Sequence, residues 1–366
     1  MSTIRFEGLR KSYRRSTALD GIDLQIEPRM LTVFCGPPGS GKSVLMRALI
    51  GLETPSAGRI LIDGHDITGF APAERMVGYV PQSFALFPHM SVFDNIAYAM
   101  RLQGVASAEI RSRVDRAAEI LGIGPLLRKK PSELSGGEKQ RAAIARGILK
   151  NAEIFILDDP LVGLDFKLRE RLMEDLKELR AQLGATFLYV TSDSLEALIM
   201  ADNLVVMDRG RVVQADSVRT VYHDPAHLRA AELVGFPRCN MLAGRLEGSP
   251  PRCTSDLLGF PVALLPGEAP AAEVMIAIRP EHITLADDAA AATVTGDVSL
   301  VENLGSEAVV YFTVAGHTLV TTVPAARSAR VDLGDRVPFA IRLDALLLFD
   351  RASGRRVGRG MERRNA

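Results

Sequence analysis

The sequence predicts an α/β phosphate-binding domain followed by a smaller, all-β domain. Two observations carry this prediction. A glycine-rich loop at residues 36–43 lies between a short β-rich run and a helical repeat of apolar residues, and beyond residue 240 short β-rich runs alternate with turns. The chain has 366 residues, which is too long for one core of ordinary size. We therefore expect an α/β domain over residues 1–235 and a β domain over residues 240–366.

The residues before the loop alternate apolar and polar side chains, as Ile22, Leu24 and Ile26 do, which predicts antiparallel strands with one exposed face. Between the first such run and this one we expect a loop that contains Tyr13. The ring of Tyr13 has the shape to stack on a flat base, although a tyrosine in a loop is more often an ordinary surface residue.

The loop itself has the form G-x-x-x-x-G-K-S. Its members are Gly36, Pro37, Pro38, Gly39, Ser40, Gly41, Lys42 and Ser43. Glycine lets the backbone wrap around a polyphosphate because no side chain blocks the approach, and the N–H groups of the following helix point at the anion. We expect Lys42 to reach the β- and γ-phosphates and Ser43 to bind Mg²⁺. The flanking strand and helix favour this interpretation over a chance turn.

The next segments carry two further candidates. Gln82 follows a short strand that Pro81 ends, and its amide is placed to reach a bound metal or water. From residue 91 to about residue 150 the pattern is helical, and Ser107 is the expected N-cap of one helix. Ser135, Gly136 and Gly137 then precede an alanine-rich helix. They indicate either a second helix-capping anion site or an ordinary turn, because Ser-Gly-Gly is common in turns.

Two buried strands are expected to bring polar residues to one edge of the sheet. An apolar run at 154–157 is followed by Asp158 and Asp159, and a second run, which ends at Thr191, is followed by Ser192. Ligands of doubly wound sheets bind at the carboxyl ends of the strands. An amphipathic helix that ends at Gly184 separates the two runs, and a hairpin follows them.

Composition excludes several classes of protein. Acidic and basic side chains number 44 each, which argues against a protein that depends on electrostatic binding to nucleic acid. No apolar run is long enough to span a bilayer, and the N-terminus has no apolar signal region, so we expect a cytosolic protein. Cys35, Cys239 and Cys253 have no metal-like spacing and are expected to be reduced thiols, with Cys35 a small buried residue.

Taken together, the motifs of the first domain resemble those of ATP-binding-cassette (ABC) transporter ATPases. Residues 36–43 match the Walker A loop, residues 134–138 the family signature, and residues 154–158 Walker B. The resemblance implies a parallel sheet core, an antiparallel β subdomain and a helical subdomain at about 84–150. It also implies that Tyr13 stacks on adenine, and that Ser43, Gln82 and Asp158 hold Mg²⁺ at the bound ATP.

The second domain resembles the OB-like (TOBE) regulatory domain of sugar and glycerol-phosphate importer ATPases of the maltose type. The matching residues are 278–281, 301–307 and 334–337. The resemblance implies a peripheral subunit on the cytoplasmic face of the inner membrane, which works with two integral-membrane permease subunits and an external solute-binding protein. Two ATPase subunits would close face to face, so that Ser135, Gly136 and Gly137 hold the γ-phosphate bound to the partner.

Two positions depart from the family pattern at the catalytic residues. Asp159 stands where the family usually has the Glu that orients the attacking water, and Ser192 stands where it usually has His at the γ-phosphate. Aspartate is one methylene shorter, and a misplacement of about 1 Å can reduce a rate on the order of 10²-fold. The hypothesis is therefore that this subunit binds ATP but hydrolyses it poorly, as the weak member of a heterodimer.

Other interpretations stay open at this point. Asp159 and Ser192 are also compatible with an active homodimer, and the polyamine and iron importers share the architecture. A regulatory or scaffold subunit with little hydrolysis is a further alternative. A soluble ABC ATPase that acts on DNA or ribosomes is disfavoured, because the chain has one cassette and no basic stripe.

Overall fold

The computed structural model describes residues 3–149, 152–266, 272–286, 293–328 and 331–362. Contacts divide the chain into two compact units, Met1–Val218 and Arg219–Ala366. This division falls earlier than the boundary expected near residue 235. The reason is that Ala231 belongs to a buried cluster with Ala277, Leu347 and Phe349 of the second unit.

Strands make up the central layers of the first unit. They are β1 (Ile4–Tyr13), β2 (Ser16–Ile26), β3 (Leu31–Cys35), β4 (Ala57–Ile62), β5 (His65–Asp66), β6 (Val77–Val80), β7 (Ile154–Asp158), β8 (Thr186–Thr191), β9 (Asn203–Asp208) and β10 (Arg211–Ser217). One sheet has the order β2-β1-β4-β5 and its strands pair antiparallel. The other has the order β10-β9-β3-β8-β7-β6 and is parallel from β9 to β6.

Helices flank these sheets. They are α1 (Lys42–Leu49), α2 (Val92–Leu102), α3 (Ser107–Ile120), α4 (Gly136–Ile148), α5 (Phe166–Leu183) and α6 (Ser194–Met200), with 3₁₀ turns at Gly124–Leu126 and Pro131–Glu133. The expected end of the long helix is confirmed, because Gly184 caps α5 in the left-handed conformation with φ 58°. In the part of the chain that the structure describes, no helix is both long and apolar enough to cross a bilayer.

The parallel strands are buried on both faces, as their continuous apolar runs predict. Every residue of β3, β7 and β8 is buried. Phe34, Ile156 and Leu188 belong to one core cluster, into which α1 packs Leu45. Because β3, β7 and β8 are parallel neighbours in this sheet, their carboxyl ends meet at one edge. This edge carries the candidate site.

Two sequence predictions about local structure are wrong. Tyr13 does not lie in a loop but is the last residue of β1, where it pairs with Ser16. The two strands extend further than expected because Arg14 and Arg15 alone make the turn. Ser107 is not the N-cap of α3 but its first residue; the cap is Ala106, which provides no side-chain hydrogen bond.

The second unit begins with two helices and continues as β structure. Its helices are α7 (Val218–His223), which starts at the boundary, α8 (Leu228–Leu233) and α9 (Ala325–Ser328). Its strands are β11 (Asn240–Glu247), β12 (Arg252–Thr254), β13 (Gly259–Leu264), β14 (Glu273–Ile278), β15 (Ile283–Leu285), β16 (Thr293–Asn303), β17 (Glu307–Val314), β18 (His317–Pro324), β19 (Arg336–Ile341), β20 (Leu347–Asp350) and β21 (Arg356–Gly360). Further 3₁₀ turns lie at Pro280–His282 and Leu343–Ala345.

Closure into a barrel confirms the small all-β domain expected from the sequence. The order β11-β12-β13-β21-β20-β14 closes on itself, and β15-β19-β16-β17-β18 form a second sheet. The 3₁₀ turn at Leu343–Ala345 separates β19 from β20, although the residues on both sides of it are rich in apolar side chains. Phe260, Phe312 and Phe339 are completely buried in the shared core.

Candidate nucleotide-binding and catalytic site

The loop at 36–43 takes a path that glycine alone permits at two points. A β-carbon on Gly36 would lie 2.0 Å from the carbonyl oxygen of Met207, and one on Gly41 would lie 2.6 Å from that of Ala18. Gly41 also has a φ of 103°, which residues with a side chain rarely adopt. The loop is therefore held by its close approach to two neighbouring strands, and it leads directly into the first turn of α1.

Lys42 lies inside this loop. Its side chain is almost completely buried, and Nζ donates hydrogen bonds to the carbonyl oxygens of Gly36 at 2.6 Å and Pro37 at 3.1 Å. Burial lowers the pKa of Lys42, and the negative charge of Asp159 opposes that shift. A phosphate in the loop offers the ammonium a charged acceptor in place of neutral carbonyls, so the arrangement fits a polyphosphate ligand.

Ser43 and Asp158 are brought together as the sequence predicts. The Ser43 hydroxyl donates to Oδ1 of Asp158 at 2.9 Å, and the Asp158 side chain is buried at the end of β7. Mg²⁺ prefers oxygen ligands and is usually bound through one or two carboxylates together with substrate phosphates. The oxygens of Ser43 and Asp158, next to the phosphate loop, therefore fit this ion. Gln82 is exposed two residues beyond β6, and its role at the metal stays a prediction.

Sequence reasoning missed Tyr79 at this point of the site. Its hydroxyl donates to Oδ2 of Asp158 at 3.1 Å, so each oxygen of the Asp158 carboxylate accepts a hydrogen bond from a different side chain. Burial raises the pKa of Tyr79, and the neighbouring Asp158 charge adds to the shift. The tyrosine therefore stays protonated and acts as a donor. The signal in the sequence is its place on β6, one residue before the strand's last residue, Val80.

Asp159 and Ser192 also meet at this edge. The Asp159 backbone N–H donates to the carbonyl of Val190 at 3.0 Å, and the backbone N–H of Ser192 lies close enough to the Asp159 carboxylate to favour its charged form. Asp159 has a φ of 49°, a conformation that Asp tolerates better than most residues. Burial raises the pKa of Asp159, and the charge of Lys42 opposes that shift. The Ser192 side chain is exposed.

A buried polar network, which the sequence did not reveal, supports the turn that carries Ser192. Oε2 of Glu196 accepts hydrogen bonds from the hydroxyls of Tyr189 at 3.0 Å and Thr191 at 2.8 Å. Arg169 of α5 lies 3.7 Å from Oε1 of the same carboxylate and 3.3 Å from Asp193, the N-cap of α6. Burial raises the pKa of Glu196. The network joins β8, α5 and α6 behind the site.

The signature residues form the start of α4. Ser135 is the N-cap, and its hydroxyl accepts from the Glu138 N–H at 3.3 Å, while the Glu138 carboxylate accepts from the Ser135 N–H at 2.7 Å. This reciprocal pair is a capping box. A β-carbon on Gly137 would lie 2.3 Å from the Cδ2 methyl of Leu168 of α5, so a larger residue there would require the Leu168 side chain to move. Ser135 and Gly136 are exposed, which leaves this helix N-terminus open to a ligand from outside.

Tyr13 is held beside an ion pair. Nζ of Lys11 lies 5.1 Å from the centroid of the Tyr13 ring and 3.0 Å from the Glu53 carboxylate, and Lys11 and, to a lesser extent, the Tyr13 hydroxyl lower the pKa of that carboxylate. The Tyr13 side chain remains 43% exposed. Stacking of adenine on this ring stays a prediction.

The segment after Gln82 is fixed by side chains of the helical region. Phe84 and Ala85 both have positive φ, at 60° and 49°, and their carbonyls accept from the guanidinium of Arg146 at the end of α4. Asn95 of α2 is buried and bonds both the N–H and the carbonyl of Phe87. The end of the signature helix is thus tied directly to the segment that follows Gln82.

Comparison with known proteins agrees with this geometry. Residues 19–162 match the family described as ABC transporter, and residues 276–349 match the TOBE domain. The sn-glycerol-3-phosphate import ATP-binding protein UgpC of Cupriavidus pinatubonensis is 39% identical over 98% of this chain and 100% of its own length. An uncharacterized ABC transporter ATP-binding protein of Bacillus subtilis, YurJ, is 37% identical over 96% of this chain and 98% of its own length.

Solved structures match about three fifths of this chain. CbiO1 of Clostridium perfringens, part of an ABC transporter complex, matches 60% of this chain and 90% of its own length with a TM-score of 0.56 and 32% identity. The dimeric bacterial cassette MJ0796 matches 59% of this chain and 99% of its own length with a TM-score of 0.54 and 28% identity. With relatives of such identity along nearly its full length, this chain belongs to the ATP-binding proteins of ABC transporters, and it is an ATPase with a C-terminal TOBE domain.

Proposed function

We propose that this chain is the ATP-binding subunit of an importer for a sugar, glycerol or a related polyol. The UgpC-type relatives named for sn-glycerol-3-phosphate import, which match essentially the whole chain, support this solute class. In this role the subunit is peripheral on the cytoplasmic face of the inner membrane. It drives two integral-membrane permease subunits, to which an external solute-binding protein delivers the substrate.

The residues that bind nucleotide are complete. Lys42 is seated in the loop among acceptors that phosphate oxygens replace, and Ser43 and Asp158 are the residues that would hold Mg²⁺. The bound ion supplies positive charge that neutralises the charge developing on the phosphate oxygens. Lys42, whose side chain is almost completely buried, would add a second positive charge beside the phosphates. We therefore propose firm binding of Mg²⁺ and ATP.

The residues for hydrolysis are altered, and this observation carries the proposal of slow turnover. The Asp159 carboxylate lies near the Ser192 backbone N–H and is one methylene shorter than the usual Glu. Ser192 offers a short neutral hydroxyl where an imidazole usually contacts the γ-phosphate. Positioning and electrostatics supply nearly all phosphoryl-transfer catalysis, so both changes act on the chemical step. We propose that ATP in this chain's own loop is hydrolysed slowly and therefore stays bound for a long time.

The signature residues are intact, so the two ATP sites of the proposed dimer would differ. Ser135 caps the exposed N-terminus of α4, whose backbone N–H groups can bind the phosphate of a nucleotide held by another subunit. We propose that the partner is a different ABC ATPase with its own Glu and His, and that Ser135, Gly136 and Gly137 complete the competent site of that partner. The composite site on Lys42 is then the slow one.

Steady-state ATP hydrolysis tests this pairing. The purified chain is assayed alone and mixed with a second ABC ATPase of the same organism that has the usual Glu and His. We expect turnover of the mixture to exceed the sum of the separate rates, and Ser135→Arg in this chain to abolish the excess. A rate for the chain alone that equals the rate of the mixture would overturn the heterodimer. It would favour an active homodimer, for which polyamine and iron are the alternative solutes.

A regulatory or scaffold subunit is the second candidate function. The altered pair Asp159 and Ser192 favours it, because a subunit that only locks an assembly needs no hydrolysis. Reconstitution with permease subunits in vesicles separates the two. We expect solute uptake that depends on ATP and on Lys42; assembly without uptake would support the scaffold.

A further inference from the structure

We propose that Tyr79 is a positioning residue that orients the Asp158 carboxylate toward the Mg²⁺ of the bound nucleotide. The proposal deepens the function proposed above and rests on it, since it assumes that Mg²⁺ and ATP bind at residues 42, 43 and 158. It assigns a role to a residue on β6, outside the loop and outside the strand that carries Asp158.

The strand register explains why Tyr79 reaches this carboxylate. Strands β6 and β7 are parallel, and Tyr79 lies opposite Ile156. Side chains alternate along a strand, so Ile156 and Asp158 share one face of the sheet, and Tyr79 lies on that face as the diagonal neighbour of Asp158. The Tyr79 ring packs against the core cluster that contains Ile156, which fixes the direction of its hydroxyl.

The two oxygens of the Asp158 carboxylate accept hydrogen bonds from two different side chains. Oδ1 accepts from Ser43 at 2.9 Å, and Oδ2 accepts from Tyr79 at 3.1 Å. The terminal torsion of an aspartate is broad and roughly two-fold, so a carboxylate with one donor would sample more orientations. With Tyr79 on Oδ2, Oδ1 faces Ser43, which is the other residue expected at the ion. Tyr79 thereby acts on the metal through Asp158 and does not need to touch it.

The hydrogen bond between Tyr79 and Asp158 has its largest effect in a site that holds nucleotide and Mg²⁺ for a long time. Asp159 and Ser192 weaken the chemistry, whereas the Tyr79 hydroxyl gives the carboxylate that would hold the ion an additional donor. Mutation of such outer partners typically reduces metal affinity about 10- to 100-fold. Tyr79 would therefore lengthen the time for which nucleotide and metal stay bound in the slow site.

The test measures the Mg²⁺ dependence of nucleotide binding to the full chain. A fluorescent ATP analogue is titrated against wild type and Tyr79→Phe, at rising Mg²⁺ and also with EDTA. We expect the Mg²⁺ midpoint of Tyr79→Phe to rise about 10-fold, with affinity in EDTA unchanged. Tyr98→Phe is the matched control, because it removes a hydroxyl from a half-buried tyrosine of α2 that packs on Phe87. Its midpoint should equal that of wild type.

A second variant separates positioning from packing. In an Asp158→Asn background, Tyr79→Phe should add less than a two-fold change to the Mg²⁺ midpoint, because the group it orients has been altered. An unchanged midpoint in Tyr79→Phe, or an equal loss of affinity with and without EDTA, would overturn the inference. If the wild-type chain binds no nucleotide under any of these conditions, the proposed function itself fails. Because only binding is measured, the result holds whether the subunit turns over slowly or rapidly.

Discussion

Lys42 and Asp159 follow two strands of the same sheet, β3 and β7, but they are fixed in different ways. Lys42 is buried and bonded to carbonyls of a loop whose glycines press against the backbone of neighbouring strands. The Asp159 carboxylate lies near the backbone N–H of Ser192, whose side chain is exposed. Under the proposed function, nucleotide binding thus depends on backbone shape, whereas hydrolysis depends on the reach of two side chains. Single substitutions can therefore change hydrolysis and leave nucleotide binding intact.

The largest expected effect comes from removal of the buried cation. Lys42→Ala should weaken ATP binding about 10- to 150-fold, because hydrogen bonds to a charged group contribute about 1.5–3 kcal/mol. Isothermal titration with ATP and Mg²⁺ measures the change. Lys177→Ala, on the exposed side of α5, is the control and should bind as wild type does. Equal affinity of Lys42→Ala and wild type would break the contrast drawn between the two residues.

Restoration of the usual side chains tests the other half of the comparison. Asp159→Glu with Ser192→His should raise turnover of the chain's own site about 10- to 100-fold, because a carboxylate misplaced by about 1 Å is returned to the attacking water. Nucleotide affinity should change little. Steady-state hydrolysis checks the rate. The matched variant Asp158→Glu adds the same methylene to a carboxylate that is already in place, and it should lower turnover. A lower turnover in both the Asp159→Glu, Ser192→His variant and Asp158→Glu would show that the Asp159 carboxylate is already well placed for hydrolysis.

The pH dependence of stability sharpens the same contrast. Burial raises the pKa of Asp159 from its ordinary value of 3.8, so the folded state binds this proton more tightly than the unfolded state does. The stability that this provides is complete below about pH 3.8 and is lost as the pH rises through the raised pKa. Asp159→Asn, which stays neutral, should therefore gain free energy of unfolding relative to wild type as the pH rises from 4 to 7. Urea unfolding at each pH measures this, and a difference that does not vary with pH would contradict it.

Short sequence patterns were sufficient to predict those parts of the site that a single segment of the chain forms. The strand before Gly36 and the helix after Ser43 follow from a β-rich run and a helical repeat, and Asp158 and Ser192 follow from apolar strands that end at polar residues. These features are read within about ten residues of sequence. The meeting of Ser43 and Asp158 also follows, because parallel strands share a carboxyl edge.

Contacts that depend on strand register and helix placement were not predictable in this way. Tyr79 meets Asp158 only because β6 pairs with β7 in one register, and the Glu196 network requires α5 to bring Arg169 beside β8. A shift of one residue in the pairing would turn Tyr79 to the other face of the sheet. Tyr13 was misplaced for a related reason, since the length of the β1–β2 pairing is decided by partners along both strands.

The smallest expected effect lies at the signature and concerns the partner. Ser135→Ala removes the capping hydroxyl of α4 and should lower the free energy of unfolding by about 1 kcal/mol, the usual cost of losing such a cap. Affinity of the chain's own loop for ATP should stay as in wild type, since among the described residues the Ser135 side chain bonds within α4. Thermal unfolding and nucleotide titration of the same sample measure both quantities. Asp165→Ala, which removes the N-cap of α5 instead, is the control for stability alone. A weakened own site in Ser135→Ala would mean that the signature acts within this chain, and it would remove the basis for assigning Ser135 to the site of a partner.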